Sequence, residues 1–270
     1  MFYIISFIFG LVFGSFLSVL IYRVKNQEKG IFFWRSKCPK CNHILSAKDL
    51  VPIFSYLIFS GKCSYCWEKI SIIYPLLELT TGVFFVFISW LILWTWNLQV
   101  AVWNLPYVLY WWAVALFVVA IIFYDILFLE ISFLFAGILW VLLILPQFLW
   151  IIWDWKQALI LAVVGFLIFV LIGYIRLKFR KIEWIWWWDA IGAVLVAFMI
   201  PILIDLLNLS YPAWLVYYIV ILLGFILAGI VAIPIYLLKK NSKIALPFLP
   251  FMFFAVVVFV FVGKYILELL

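Results

Sequence analysis

Charge is scarce in this sequence. Only 11% of its 270 residues are Asp, Glu, Lys or Arg, where a soluble domain carries about a quarter. With 71% of the residues hydrophobic, no water-soluble globule could hide that much apolar surface, so lipid must be the solvent for most of it. Histidine is scarcer still: His43 stands alone, so no Ser/His/Asp triad and no histidine-rich metal site can be assembled. Glycine is also thin, at 12 residues against 17 tryptophans, and no phosphate-cradling glycine loop appears. There is no internal repeat and no low-complexity linker. The apolar stretch Phe2–Tyr22 lacks a basic n-region and a small-residue cleavage site. It reads as a retained first spanning helix, not a removed signal peptide.

What is present is a series of apolar runs of spanning length, about 20 residues each. They fall at roughly 2–22, 73–95, 104–124, 132–152, 157–175, 189–207, 213–238 and 245–264. The expectation is an all-α polytopic membrane protein with about eight transmembrane helices. The net charge of +7 could suggest nucleic acid, but its distribution argues for topology instead. Nine of the 18 Lys and Arg residues lie between Arg23 and Lys69; Arg176, Lys178, Arg180 and Lys181 form a second cluster, and Lys239, Lys240 and Lys243 a third. Threading eight helices from an outside N-terminus puts 16 of the 18 bases on one face, leaving only Lys156 and Lys264 opposite. Cytoplasmic loops collect bases in this way. The sequence therefore predicts a multi-pass protein of the bacterial cytoplasmic membrane, with lipid as partner and no nucleic acid.

The organisation expected is a first helix over 1–22, a small cytosolic insert over 23–72 and a seven-helix membrane domain over 73–270. All four cysteines lie in the insert, as Cys38-Pro-Lys-Cys41 and Cys63-Ser-Tyr-Cys66, with 21 residues between the pairs. Each CxxC can turn two thiolates onto one ion, and two such knuckles complete a tetrahedral zinc site. A reducing compartment suits thiolates better than disulfides, and a structural Zn2+ explains how a thin-cored segment could fold. Four protein sulfurs leave no open coordination position, so the metal would be structural, not catalytic. His43 reads as a surface or supporting residue of the same insert.

Ionisable groups in or at the edge of spanning segments are costly. Glu78, Asp125, Asp189 and Asp205 are the carboxylates so placed. Asp125 falls near the end of the third run and Asp189 at the start of the sixth, both at the cytosolic side in the topology above. Two carboxylates that meet can divide peptide hydrolysis: one takes a proton from water while the other, protonated, donates to the substrate carbonyl. The alternative is a pair of interfacial carboxylates that never meet. Asp205 faces the outer interface, and Glu78 sits deeper, where a structural hydrogen bond is the expectation.

Several strings in order resemble the bacterial type IV prepilin peptidase family. Gly14-Ser-Phe-Leu-Ser-Val-Leu-Ile-Tyr-Arg23 is similar to its opening signature, with Ser18 where the family has Asn. Arg35-Ser-Lys-Cys38-Pro-Lys-Cys41, Val51-Pro-Ile-Phe-Ser-Tyr56, Gly61-Lys-Cys63-Ser-Tyr-Cys66 and Ile70-Ser-Ile-Ile-Tyr-Pro-Leu-Leu-Glu78-Leu-Thr-Thr-Gly82 follow. The resemblance is dense over residues 10–82 and recurs around both aspartates. It implies that Asp125 and Asp189 are the catalytic pair of an intramembrane aspartic endopeptidase. It further implies a prepilin or pseudopilin substrate, cut after a short basic leader at the cytosolic face. Methylation of the new N-terminus with S-adenosylmethionine is a second activity that the family resemblance implies; nothing in the residues themselves marks a methyl-donor pocket.

The departures are tryptophans. In Glu183-Trp-Ile-Trp-Trp-Trp-Asp189, Trp184, Trp186 and Trp188 stand where the family has glycine; Trp34 and Trp67 do the same beside the two knuckles. One reading is that UGA codons specifying glycine have been translated as tryptophan. If the tryptophans are genuine, bulky rings crowd Asp189, and the chain is a catalytically inactive relative acting as a pilin-binding or secretion scaffold. Ser132, where the family often has Pro, is a milder departure. A transporter with an accessory zinc domain fits less well, because transporters distribute charges along a pathway and interrupt helices at mid-membrane.

Overall fold

The computed structural model describes residues 1–28, 35–95, 105–149, 155–180, 186–206, 212–239 and 247–268. Among these the fold is helical, with no strand and only two isolated bridges, Lys37 with Ile44 and Lys62 with Lys69. Eight long helices stand where the eight apolar runs predict them: α1 (Phe2–Lys25), α3 (Ile73–Thr95), α4 (Leu105–Phe128), α5 (Phe133–Leu149), α6 (Trp155–Arg180), α7 (Trp186–Leu206), α8 (Ala213–Lys239) and α9 (Leu249–Glu268). A five-residue helix, α2 (Phe54–Ile58), follows a short 3-10 turn at Ala47–Leu50 inside the insert. Over the described residues, α1, α3 and α4 are long and apolar enough to cross a membrane. The described parts of α5 to α9 are shorter apolar helices. Several helices run past the apolar stretch, α1 through Arg23 to Lys25 and α6 through Arg176 to Arg180. Lys and Arg are good helix formers, so the helix does not stop where the lipid-compatible sequence does. The expected outer loops around 97–104, 154 and 208–211, and the bases Lys181, Lys240 and Lys243, lie outside the described residues.

The chain divides into two compact units, Met1–Ala120 and Ile121–Leu270. In the first, α1 and α3 approach so closely that side chains are excluded. A Cβ added at Gly10 would lie 2.6 Å from the Gly82 Cα, and one at Gly14 would lie 2.8 Å from the Glu78 Cα. Small residues four apart on one helix face allow such backbone contact, the usual way spanning helices associate when lipid removes the hydrophobic drive. The aromatic ring of Trp112 on α4 stacks on Phe85, with centroids 5.1 Å apart.

Three buried polar side chains of this unit are joined in one hydrogen-bonded chain. The Ser89 hydroxyl accepts the Trp112 indole N–H at 3.0 Å and donates to the Ser6 hydroxyl at 2.9 Å, which donates to the Phe2 carbonyl at 2.9 Å. All three helices of the unit are thereby linked. Ser89→Ala strands the indole N–H and is expected to lower stability by about 1–2 kcal/mol. Thermal unfolding in detergent micelles reads this directly, and an unchanged midpoint would remove the network from the energetics.

In the second unit, Tyr217 of α8 is fully buried and donates its hydroxyl to the Ala193 carbonyl of α7 at 3.2 Å. Gly165 of α6 lies against that hydroxyl, leaving no room for a Cβ. Phe169, Phe225 and Phe248 form an aromatic cluster joining α6 and α8 to the residue that precedes α9.

Candidate active site and metal centre

The insert contains the first constellation. The thiol sulfurs of Cys38, Cys41, Cys63 and Cys66 all lie within 4.8 Å of one another, and Cys38 and Cys66 are 3.9 Å apart. Zinc–sulfur bonds of about 2.3 Å in a tetrahedron place sulfurs about 3.8 Å apart, so the set fits a four-thiolate metal site. The two halves fold alike. In the first, the Cys38 N–H donates to the His43 carbonyl and the Asn42 N–H to the Cys38 carbonyl; in the second, Cys63 and Glu68 pair the same way, as do Trp67 and Cys63. Burial raises the Cys38 thiol, but the N–H groups of Cys41 and Lys40 and the neighbouring thiols outweigh it, bringing it to about 7. The Glu68 N–H favours the Cys66 thiolate, yet burial and the three surrounding sulfurs hold its proton, up to about 12. Cys38 thus gives up its proton easily and Cys66 with difficulty, a conflict that a divalent cation relieves.

Asp49 ties the second knuckle to the 3-10 turn. Burial pushes its carboxyl up, but hydrogen bonds from the Ser46 and Ser64 hydroxyls, the Ser46 N–H and the Tyr65 hydroxyl hold it at about 2. A carboxyl so depressed contributes stability above its ordinary value near 4, lost as pH falls through about 2. The His43 ring lies against Tyr65, with centroids 3.7 Å apart, in the supporting place expected of it.

The equivalence of the two knuckles explains one tryptophan. Asn42 and Trp67 occupy the same position and both are left-handed, with φ of 57° and 59°. Asn tolerates that region; a bulky residue is strained there by about 1–2 kcal/mol, and glycine is not. Trp67 is also 68% exposed, so its ring returns little packing. Trp67→Gly is expected to stabilise the insert by about 1 kcal/mol. Mass spectrometry of the native protein checks the codon reading: a glycine mass at 67 supports it, and an indole mass ends it for that position. Trp34 and Trp184 lie outside the described residues. Trp186 and Trp188 have helical backbones in the first turn of α7.

The second constellation is in the membrane helices. Asp125 and Asp189 are 5% and 7% exposed, so neither is a solvated surface carboxylate. Asp125 lies three residues from the end of α4 and Asp189 three residues from the start of α7. Leu249, the first residue of α9, touches Asp125 on α4 and Gly192 on α7. The Leu249 backbone N–H donates to the Asp125 carboxyl. Its side chain packs against Gly192, so tightly that a Cβ there would overlap it; Gly192 is three residues after Asp189, on the same helix face. Three helix ends therefore gather around one residue. The Leu249 N–H is among the donors that a helix start leaves without an intrahelical partner. The Asp125 Oδ2 is buried with no hydrogen-bond partner among the described residues.

Leu249 carries no sequence signal of its own, but Pro247 and Pro250 around it mark a helix start. The apolar run had suggested a start near 245. Ser132 immediately precedes α5, a position where serine is a favoured cap and proline is not required. Glu78 is buried and structural, as expected, accepting the Ile53 N–H at 2.7 Å. The side chain of Asp205 is outside the described residues.

Comparison with known proteins agrees with the resemblance seen in the sequence. Residues 8–92 match the family model described as the bacterial peptidase A24 N-terminal domain. Among curated proteins, the prepilin leader peptidase/N-methyltransferase of Neisseria gonorrhoeae is 38% identical over 112 residues, covering 33% of this chain and 39% of the relative. The protein of the same name in Vibrio cholerae is 43% identical over 97 residues, covering 33% and 38%. That of Bacillus subtilis is 42% identical over 81 residues, covering 30% and 32%. The chain thus spans under half the length of these relatives. No solved structure matches it significantly.

Proposed function

We propose that this protein is a membrane-embedded aspartic endopeptidase that removes the leader of prepilin-like precursors, with Asp125 and Asp189 as its catalytic pair. The observation that supports this reading is a pair of buried carboxylates near helix ends, Asp125 bonded by the Leu249 N–H and Asp189 three residues before the Gly192 that packs on Leu249. One aspartate takes a proton from water as the water oxygen attacks the scissile carbonyl carbon. The other, protonated, donates to the carbonyl oxygen. Collapse of the tetrahedral intermediate then breaks the C–N bond, and the amine leaves with a proton returned through the pair. The Asp125 Oδ2, without a hydrogen-bond partner among the described residues, suits a group that must receive water or substrate, and Asp189 is likewise buried.

The relatives and the basic loops support the reading of substrate and sidedness. The substrate is a prepilin or pseudopilin precursor, cut at the cytosolic face of the inner membrane, where the insert over 23–72 also lies. Cys38, Cys41, Cys63 and Cys66 hold one structural Zn2+. The relatives' shared name supports N-methylation of the product with S-adenosylmethionine, the group that would supply the methyl; no residue is assigned to it. One observation favours the inactive scaffold instead: Trp186 and Trp188 flank Asp189 if they are genuine. Incubating the full chain in detergent with a prepilin separates the two. Leader loss supports the peptidase, and an intact precursor with bound pilin supports the scaffold.

A further inference from the structure

The short helix α2 is built inside out for a segment in water. Phe54, Leu57 and Ile58 are 61%, 65% and 73% exposed, and their spacing puts them on one helical face. The other side faces the insert: the Tyr56 ring abuts Gly61, and its hydroxyl reaches the Ile70 carbonyl at 3.5 Å. A clustered apolar face turned outward on an insert with so little core calls for a cover.

The register of α2 supplies the cover. The Ile53 N–H, immediately before the helix, donates to the Glu78 carboxylate at 2.7 Å. Glu78 lies five residues into the spanning helix α3, about 8 Å along its axis at 1.5 Å per residue. The backbone entering α2 is thus pinned below the start of a membrane helix, at the depth where interfacial helices lie, about 5–10 Å into the headgroup and acyl boundary. At this level α3 itself presents Leu76, Leu79 and Val83 outward, 50%, 43% and 52% exposed. The chain turns into α2 through Pro52 and Ile53, whose φ of 61° is costly for a β-branched residue. A turn held in that conformation by the Glu78 hydrogen bond fixes where the helix is presented.

We propose that α2 is an interfacial membrane anchor. Phe54, Leu57 and Ile58 insert among lipid, continuous with the lipid-facing surface of α3, and hold the cysteine-containing insert against the bilayer. The proposal does not depend on the catalytic reading.

Photo-crosslinking of the full chain in phosphatidylethanolamine/phosphatidylglycerol vesicles tests it. Benzoylphenylalanine replaces Phe54, Leu57 or Ile58 singly, with Phe9 of α1 as a lipid-exposed reference and Lys48 of the insert as a water-exposed one. Mass spectrometry counts lipid adducts. The expected result is lipid capture at 54, 57 and 58 within about twofold of Phe9 and at least about fivefold above Lys48. Capture at the level of Lys48 overturns the proposal, as does crosslinking of these positions to a second protein chain or to added prepilin in place of lipid.

Discussion

Asp125→Asn and Asp189→Asn are each expected to lower prepilin leader cleavage by about a thousandfold or more, with binding of the precursor little changed. Asparagine keeps the size and most of the packing of aspartate but can neither take a proton from water nor give one to a carbonyl. Both residues are almost wholly buried, so solvent cannot take over the lost role. Because the two carboxylates act as one unit, the double variant is expected to be scarcely worse than either single one. Cleavage of a purified prepilin in detergent, followed by gel mobility and the N-terminal mass of the product, gives all three rates. Equal processing by wild type and both single variants would remove these residues from the chemistry.

Loss of the metal is expected to have the largest effect on folding. Structural zinc in small domains contributes apparent binding free energies of about 10–16 kcal/mol, as large as the whole stability of a typical domain, about 5–15 kcal/mol. The insert offers little to replace it: among its described hydrophobic residues, Cys38 and Cys63 are themselves the buried ones. Cys63→Ser, or extraction with a strong chelator, is expected to unfold the insert completely and open it to proteolysis between Arg35 and Lys69. The spanning helices α1, α3 and α4, held by their own packing, should persist. Metal analysis should find one zinc per intact chain. A metal-free chain whose insert resists protease would contradict this.

Much of this was legible in the residues because lipid and metal leave coarse patterns. Apolar runs near 20 residues betray long helices whatever they pack against, so α1 and α3 to α9 stand where the hydropathy put them. Two CxxC pairs have few uses besides gathering sulfur, and the four thiols meet. What could not be read depends on three-dimensional register. Leu249 matters through its backbone N–H and its place at a helix start, neither of which its side-chain type reveals. The Ser6–Ser89–Trp112 link joins residues far apart in the chain, and serine in a spanning helix has no preferred partner. Helix α2 is too short for periodicity to announce it, and nothing in its residue types shows that the fold turns its apolar face outward. Trp67 lies between these extremes: the sequence marked it as misplaced, and its left-handed backbone gives the physical reason.

The separation of the Asp125 and Asp189 carboxylates in an experimental structure of the full chain with bound prepilin tests the central claim most directly. The expected result is a pair of oxygens bridged by one water, within about 6 Å, two hydrogen-bond lengths. Side chains aimed at opposite flanks of their helices, each with its own separate partners, would contradict it.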